Sequence, residues 1–226
     1  MPIFNSPFFE IDKKETKRYA GLRNSDFNEE IVDEACELAR LIINPTGIWD
    51  IYDYNDNTQQ INTSPPFILQ GESIKKHLTG CEKVILLSAT VGTEIENKIT
   101  DLFKEGKYSL SLMLDAAATT AVEQSADLME KAINEQVSRK GYNMKWRFSP
   151  GYGDWPIEQQ PEMLKAAQGE KIGITLTESL MLEPRKSITA IIGLYKKEEN
   201  CPEGKPKHNC EQCNKTDCIA RQNTCK

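Results

Sequence analysis

The chain reads as an α+β protein, and two features of the sequence predict it. Its helical patterns are long and its β-favouring runs short, and the two kinds are segregated rather than alternating as regular βαβ units. No Gly-x-Gly-x-x-Gly fingerprint and no P-loop is present, so nucleotide sites of those classes have no support. With 226 residues, 38% hydrophobic and 27% charged, the chain can bury a real core without staples. That length suits one large domain, or one domain with a small appendage.

The first helical signal is Ser25-Asp26-Phe27-Asn28-Glu29, with Asp26 as N-cap and Glu29 three residues later. Ile31, Ala35, Leu38 and Ile42 then recur at helical spacing until Asn44-Pro45-Thr46-Gly47 stops them. Ile48 to Ser64 mixes aromatic, Asn, Asp and Gln residues, as strand and loop do. Lys83 to Ala89 has the compact apolar character of a buried strand, and Thr90-Val91-Gly92-Thr93 turns it into a helix carrying Ile95, Ile99, Leu102 and Phe103. Gly106 ends that helix. From Ser109 to Lys140 a long pattern puts Leu112, Ala116, Ala117, Thr120, Ala121, Leu128, Ala132 and Ile133 on a broad inner face. Its small residues predict very close packing by another element, and Gly141 closes it in a C-cap-like position. After a Gly/Pro/aromatic turn around Pro150, Glu158 to Gln168 forms a short helix. Ile172 to Tyr195 reads as two neighbouring strands broken at Glu183-Pro184-Arg185. Residues 196 to 207 are polar with two prolines and read as a linker to a cysteine-rich tail.

A formal charge of −6 argues against nucleic-acid binding, which needs a basic face. The longest apolar stretches, such as Val84-Ile85-Leu86-Leu87, are far too short to cross a bilayer. No basic segment followed by an apolar one stands at the start, so cytoplasm is the expected compartment. Of seven cysteines, Cys36 and Cys81 lie alone in the body and read as small packing residues. Cys201, Cys210, Cys213, Cys218 and Cys225 crowd the last segment. In a reducing compartment that crowding, and the odd total, point to a metal rather than disulfides, with free or redox-labile thiols as the alternative. Cys210, Cys213 and Cys218 supply three thiolates, with Cys201, Cys225 or His208 as the fourth ligand of a zinc or iron–sulfur centre. His77, beside Lys75-Lys76, reads as a surface residue.

The segment Trp146-Arg147-Phe148-Ser149-Pro150-Gly151-Tyr152, followed by Trp155-Pro156, carries the functional signal. Pro150-Gly151 fixes an unusual backbone path, and Gly151 can lie against a ligand because it has no side chain. Arg147 is suited to gripping a carboxylate bidentately. Taken locally, the commoner role of such a segment is a structural turn with a surface arginine.

Arg147 to Tyr152 resembles the Arg-x-x-Pro-Gly-Tyr motif of the activation domain of cobalamin-dependent methionine synthase. Leu176-Thr177-Glu178-Ser179, with Pro184 and Ser187 behind it, resembles the Leu-Thr-Glu-Ser block downstream of that motif. Asp115-Ala116-Ala117 with Glu123 resembles a third block and Thr90-Val91-Gly92 a fourth, in the family's order from about Asp12 to Tyr195. The resemblance implies an activation-domain fold over residues 1–195, with long helices packed around a twisted, mainly antiparallel sheet, and residues 196–226 as an appended tail. It also implies S-adenosylmethionine as ligand. Arg147 would then bind the methionine carboxylate, with Gly151 and Tyr152 beside the ligand and Glu123 on its ammonium or ribose hydroxyls. On a solvated helix face Glu123 would have no such role, and Glu178 and Ser179 equally suit backbone capping. The family's aromatic pair falls at Ile192-Gly193, which leaves backbone contacts only. Its early aspartate has no counterpart near Asn5-Ser6-Pro7-Phe8-Phe9.

Nothing in the chain resembles the homocysteine, folate or cobalamin-binding modules of the synthase, so the resemblance implies action on a partner. That partner is a cobalamin-binding methionine synthase or related corrinoid protein, served by an electron donor. The expected role is support of the reductive methylation of the partner's cob(II)alamin. Two other expectations compete with it. An autonomous S-adenosylmethionine-dependent methyltransferase would turn over without a corrinoid partner. An adaptor with a metal tail would control a corrinoid protein's conformation with no dependence on the methyl donor. With only His77 and His208 present, histidine-based hydrolysis has little to recommend it.

Overall fold

The computed structural model describes residues 3–7, 10–22 and 27–196. Within them the α+β reading holds, with the helices on both faces of an antiparallel sheet. The first helix, α1 (Lys13–Tyr19), is capped by the Asp12 carboxylate, which accepts from Lys14 and Glu15 backbone N–H groups. Its charged sequence has no apolar period, and it escapes a sequence reading for that reason. The next, α2 (Glu29–Ile42), is capped by Asn28 onto Glu30 N; Asp26, the expected cap, lies outside the described residues. Val32, Ala35, Cys36 and Ala39 form its buried stripe.

The strands β1 (Phe4–Asn5), β2 (Thr46–Asn55), β3 (Gln60–Ile61), β4 (Phe67–Ile68), β5 (Lys83–Thr90), β6 (Tyr142–Met144) and β9 (Ser187–Lys196) build the main sheet. Its order is β4-β3-β2-β5-β9-β6, with β1 on one end of β2, and every pairing is antiparallel. β5 is central and buried on both faces, which is why its apolar run is uninterrupted. Ile85, Leu87 and Ala89 face one way, with Ala190, Ile192 and Leu194 of β9. Val84 and Leu86 face the other. The expected pair of neighbouring strands in 172–195 is instead three. β7 (Thr175–Leu176) and β8 (Leu182–Glu183) make a separate hairpin, and β9 joins β5.

Helix α4 (Glu94–Lys104) ends at Gly106 as expected, but Phe103 faces outward and meets Tyr108 edge-on. The long helix α5 (Tyr108–Ser138) has 31 residues, roughly 46 Å at 1.5 Å per residue. Its first half packs among α1, α2 and α4 through Leu110, Met113, Leu114, Ala117, Ala118 and Ala121. Its second half lies on the sheet through Met129, Ile133 and Val137. Leu112, expected on the inner face, is 54% exposed, while Leu128 and Ala132 are half-buried at its edge. The small residues do mark close packing: a Cβ on Gly47 of β2 would stand 2.6 Å from Met129 Sδ.

On the opposite face lie α3 (Glu72–Leu78) and α6 (Gln160–Ala166), the latter preceded by a 3₁₀ turn, Ile157–Gln159, where one short helix was expected. Ile74, Leu78, Trp155 and Met163 pack there against Val84, Leu86 and Ile191. Cys36 and Cys81 are buried packing residues. Cys36 Sγ lies 3.7 Å from Thr16 Oγ1, and that hydroxyl in turn lies 3.2 Å from Thr120 Oγ1. Among the described residues no helix is long and apolar enough to cross a membrane. β9 runs to Lys196, the first residue of the expected linker and the last described one, so the rest of the linker and the five tail cysteines lie outside the described residues.

Candidate functional site

The segment from Lys145 to Ser149 is held alongside β9. Lys145 N donates to Gly193 O at 2.8 Å, Phe148 and Ile191 exchange bonds of 2.9 and 2.8 Å, and Ser149 Oγ donates to Thr189 O at 2.7 Å. In such an extended run alternate side chains leave opposite faces. Arg147 accordingly reaches α5, while Phe148 packs with α3 and α6. The chain then folds into a tight turn, with Gly151 at φ +88° and Gly153 at φ +58°. Tyr152 N donates to Ser149 O, Trp155 N to Tyr152 O, and Gly151 N to Trp155 O at 2.8 Å. Trp155 anchors the turn in the core, its indole N–H donating to Gln159 Oε1 at 2.8 Å. Gln159 passes the restraint on, accepting from Gln70 N and donating to Ile68 O, both at 2.8 Å.

The Arg147 side chain is 17% exposed, and its guanidinium faces three carboxylates of α5. Nη2 lies 3.2 Å from Glu123 and 2.6 Å from Asp127; Nη1 lies 3.0 Å from Glu130, without hydrogen-bond alignment. Burial pushes the Glu123 and Glu130 carboxyls above the ordinary carboxylate range, and Asp127 adds to the push, although Arg147 pulls them down. Arg18 of α1 also lowers Glu123. Burial pulls on the guanidinium too, and the carboxylates more than offset it, so Arg147 remains charged. Glu123, with its side chain 38% exposed, is an ion-paired helix residue. Asp127 and Glu130 were missed by sequence reading, although the spacing 123, 127, 130 puts all three on one helix face.

Gly151 and Tyr152 are exposed, and the Tyr152 ring meets Phe148 edge-on at 5.9 Å. Ile192 and Gly193 are not brought to that surface. Ile192 is wholly buried, and a Cβ on Gly193 would stand 2.5 Å from Cys81 Sγ, inside the packing. The Gly193 carbonyl is taken by Lys145 N. His77 is not a surface residue. It is 7% exposed, its Nε2–H donates to Trp146 O at 2.9 Å, and its ring packs on Trp146 and Phe148 at 4.5 and 5.2 Å.

The Asp115 block lies on the first half of α5, and the Thr90 block pairs with Ser187. Lys186 Nζ lies 2.9 Å from Asp115 Oδ1 and 2.9 Å from Thr119 Oγ1, and Ser187 Oγ lies 2.9 Å from Thr90 Oγ1. Asp115 precedes Glu123 by eight residues, about 12 Å along the helix. Thr177, Glu178 and Ser179 form the turn of the β7–β8 hairpin, with Thr177 Oγ1 3.0 Å from Ser179 Oγ and accepting from Met181 N. Among the described residues no group of three His, Cys, Asp or Glu side chains is arranged to hold a metal ion.

No family model matches the chain. A methionine synthase of Mycobacterium leprae (strain TN) is 25% identical over 122 residues, 46% of this chain and 10% of that protein. The chain thus corresponds to a small part of that relative. A solved structure described as the MetH reactivation domain bound to AdoHcy superimposes over 89% of this chain and 81% of its own, with a TM-score of 0.59 and 12% identity. The chain has the methionine synthase reactivation-domain fold.

Proposed function

We propose that the chain binds S-adenosylmethionine at the Arg147 turn and supports reductive methylation of cob(II)alamin to methylcobalamin on a separate cobalamin-binding methionine synthase. The observation that carries the reading is the Arg147 cluster on α5, with Arg147 itself just ahead of Pro150-Gly151-Tyr152 in the chain. One guanidinium faces three carboxylates, so the cluster offers a cation to a carboxylate and surplus negative charge to an ammonium or sulfonium. S-adenosylmethionine carries all three groups. The methionine carboxylate would replace one of the side-chain carboxylates on Arg147, with exposed Asp127 the cheapest to displace, and Glu123 would turn to the ammonium. Tyr152 would wall the ligand. Ile192-Gly193 is a poor fit for ligand contact because both residues are enclosed by β5 and the 145–148 segment.

The partner's cobalamin, once reduced by an external electron donor, would supply the nucleophile and S-adenosylmethionine the methyl group, with a neutral thioether as leaving group, so this chain would need to supply no general acid or base. The work left to this chain is to hold the donor methyl in a water-poor interface with the partner. The test is calorimetric titration with S-adenosylmethionine. Arg147→Ala should weaken binding by about 1.5–3 kcal/mol, the worth of a charge-assisted contact. An unchanged dissociation constant in a folded variant removes Arg147 from the site.

A further inference from the structure

We propose that α3 is a splint for the 146–154 turn, and that Asp154 and His77 position Arg147 and Tyr152 without touching the ligand. The two contacts lie at opposite ends of the turn and of the helix. Asp154 Oδ2 accepts from Glu72 N and Oδ1 from Ser73 N, each at 2.8 Å. These are first-turn N–H groups that Gly71, the residue before the helix, has no side chain to satisfy. At the far end His77 donates to Trp146 O at 2.9 Å, and Lys145 Nζ donates to Thr79 O, just past the helix, at 2.8 Å. Seven residues of helix, about 10 Å, thereby span the whole turn.

Glycine on each side allows the approach. Gly71 has φ +96°, and a Cβ there would stand 2.8 Å from Asp154 O; a Cβ on Gly153 would stand 2.8 Å from Ser73 Oγ. Asp154 is exposed, so burial does not require its geometry; the hydrogen bonds of Ser73 and then Glu72 hold its carboxyl below the ordinary range. Arg147 and Tyr152 lie between the two anchor points. A turn clamped at both ends presents them in one arrangement, and the ordering cost of binding is met in advance.

The proposal rests on the reading of Arg147 as a ligand residue, and its test separates the two. Amide hydrogen exchange of the ligand-free protein reads the splint; titration with S-adenosylhomocysteine reads its consequence. Asp154→Ala should speed exchange at Glu72 and Ser73 and across residues 147–153, and weaken binding about five- to tenfold. Asp154→Asn keeps one acceptor and should fall between. His77→Phe keeps the ring stack but loses the donor, and should speed exchange at the Trp146 end of the turn. Faster exchange confined to Glu72 and Ser73, or full affinity in Asp154→Ala, overturns the proposal. Failure of the wild-type protein to bind overturns the ligand reading instead, and exchange across 147–153 still decides the splint.

Discussion

Glu130 shows how burial and pairing compete at a single residue. Its side chain is 29% exposed, and burial outweighs the attraction of Arg147, so the fold holds its proton more tightly than the unfolded chain does. Asp127 and Glu123 push the same way. The folded state therefore binds more protons than the unfolded state between the ordinary carboxylate pKa and the raised one, and this contribution to stability grows as pH falls through that window. Above it, the ionised carboxylate is a cost. Glu130→Gln should thus raise the melting temperature slightly at neutral pH, by up to about 2 °C, and lose that advantage as pH falls toward 4. Equal melting curves for both proteins at every pH would mean that Arg147 compensates the burial fully.

At the scale of elements, α5 serves two cores, and its sequence changes character where it passes from one to the other. Ala117, Ala118 and Ala121 share a core with Ala35 and Ala39 of α2. Met129, Ile133 and Val137, which are larger, reach the sheet. Glu123, Asp127 and Glu130 stand around the junction, where Arg147 arrives from the sheet side. Ala121→Leu should force α2 away and destabilise the protein by about 1–3 kcal/mol in denaturant unfolding, as overpacking does. A neutral result would show the helix pair to be looser than its alanines imply. Because Arg147 grips the same helix, the variant should also weaken S-adenosylmethionine binding.

For the whole molecule, the reading predicts action in trans. Added to a cobalamin-binding methionine synthase that lacks its own activation domain, the protein should restore methylcobalamin from cob(II)alamin when reductant and S-adenosylmethionine are present. The measurement is the visible spectrum of the cobalamin, and equal recovery without the protein defeats the proposal. The tail is a separate unit in this scheme. We expect Cys210, Cys213 and Cys218 to hold one metal, completed by Cys201 or Cys225. Anaerobic purification with metal analysis separates the cases: stoichiometric iron and sulfide mean a cluster that could carry electrons, and zinc means a structural site. Neither metal, with all five thiols titrating freely, removes the idea.

The sequence by itself determined the α+β class, α2, β5, α4 and α5, because each has enough apolar residues at one period to specify which face is buried. It pointed to Arg147 only through the family resemblance of residues 147–152, since read locally that segment is more commonly a structural turn. Tertiary structure alone decided the rest. α1 and α3 are short and polar, and exist through caps and partners distant in sequence, such as Asp154 on the first turn of α3. His77 is buried because α3 docks on the segment around Trp146, which no neighbouring residue announces. Ile192 and Gly193 are enclosed because the 145–148 segment and β5 flank β9, a long-range pairing. Asp127 and Glu130 came to face Arg147 only through the fold, since it lies 20 and 17 residues further along. Periodicity reports which face an element buries, but the partner that faces it is chosen by the packing of the whole chain.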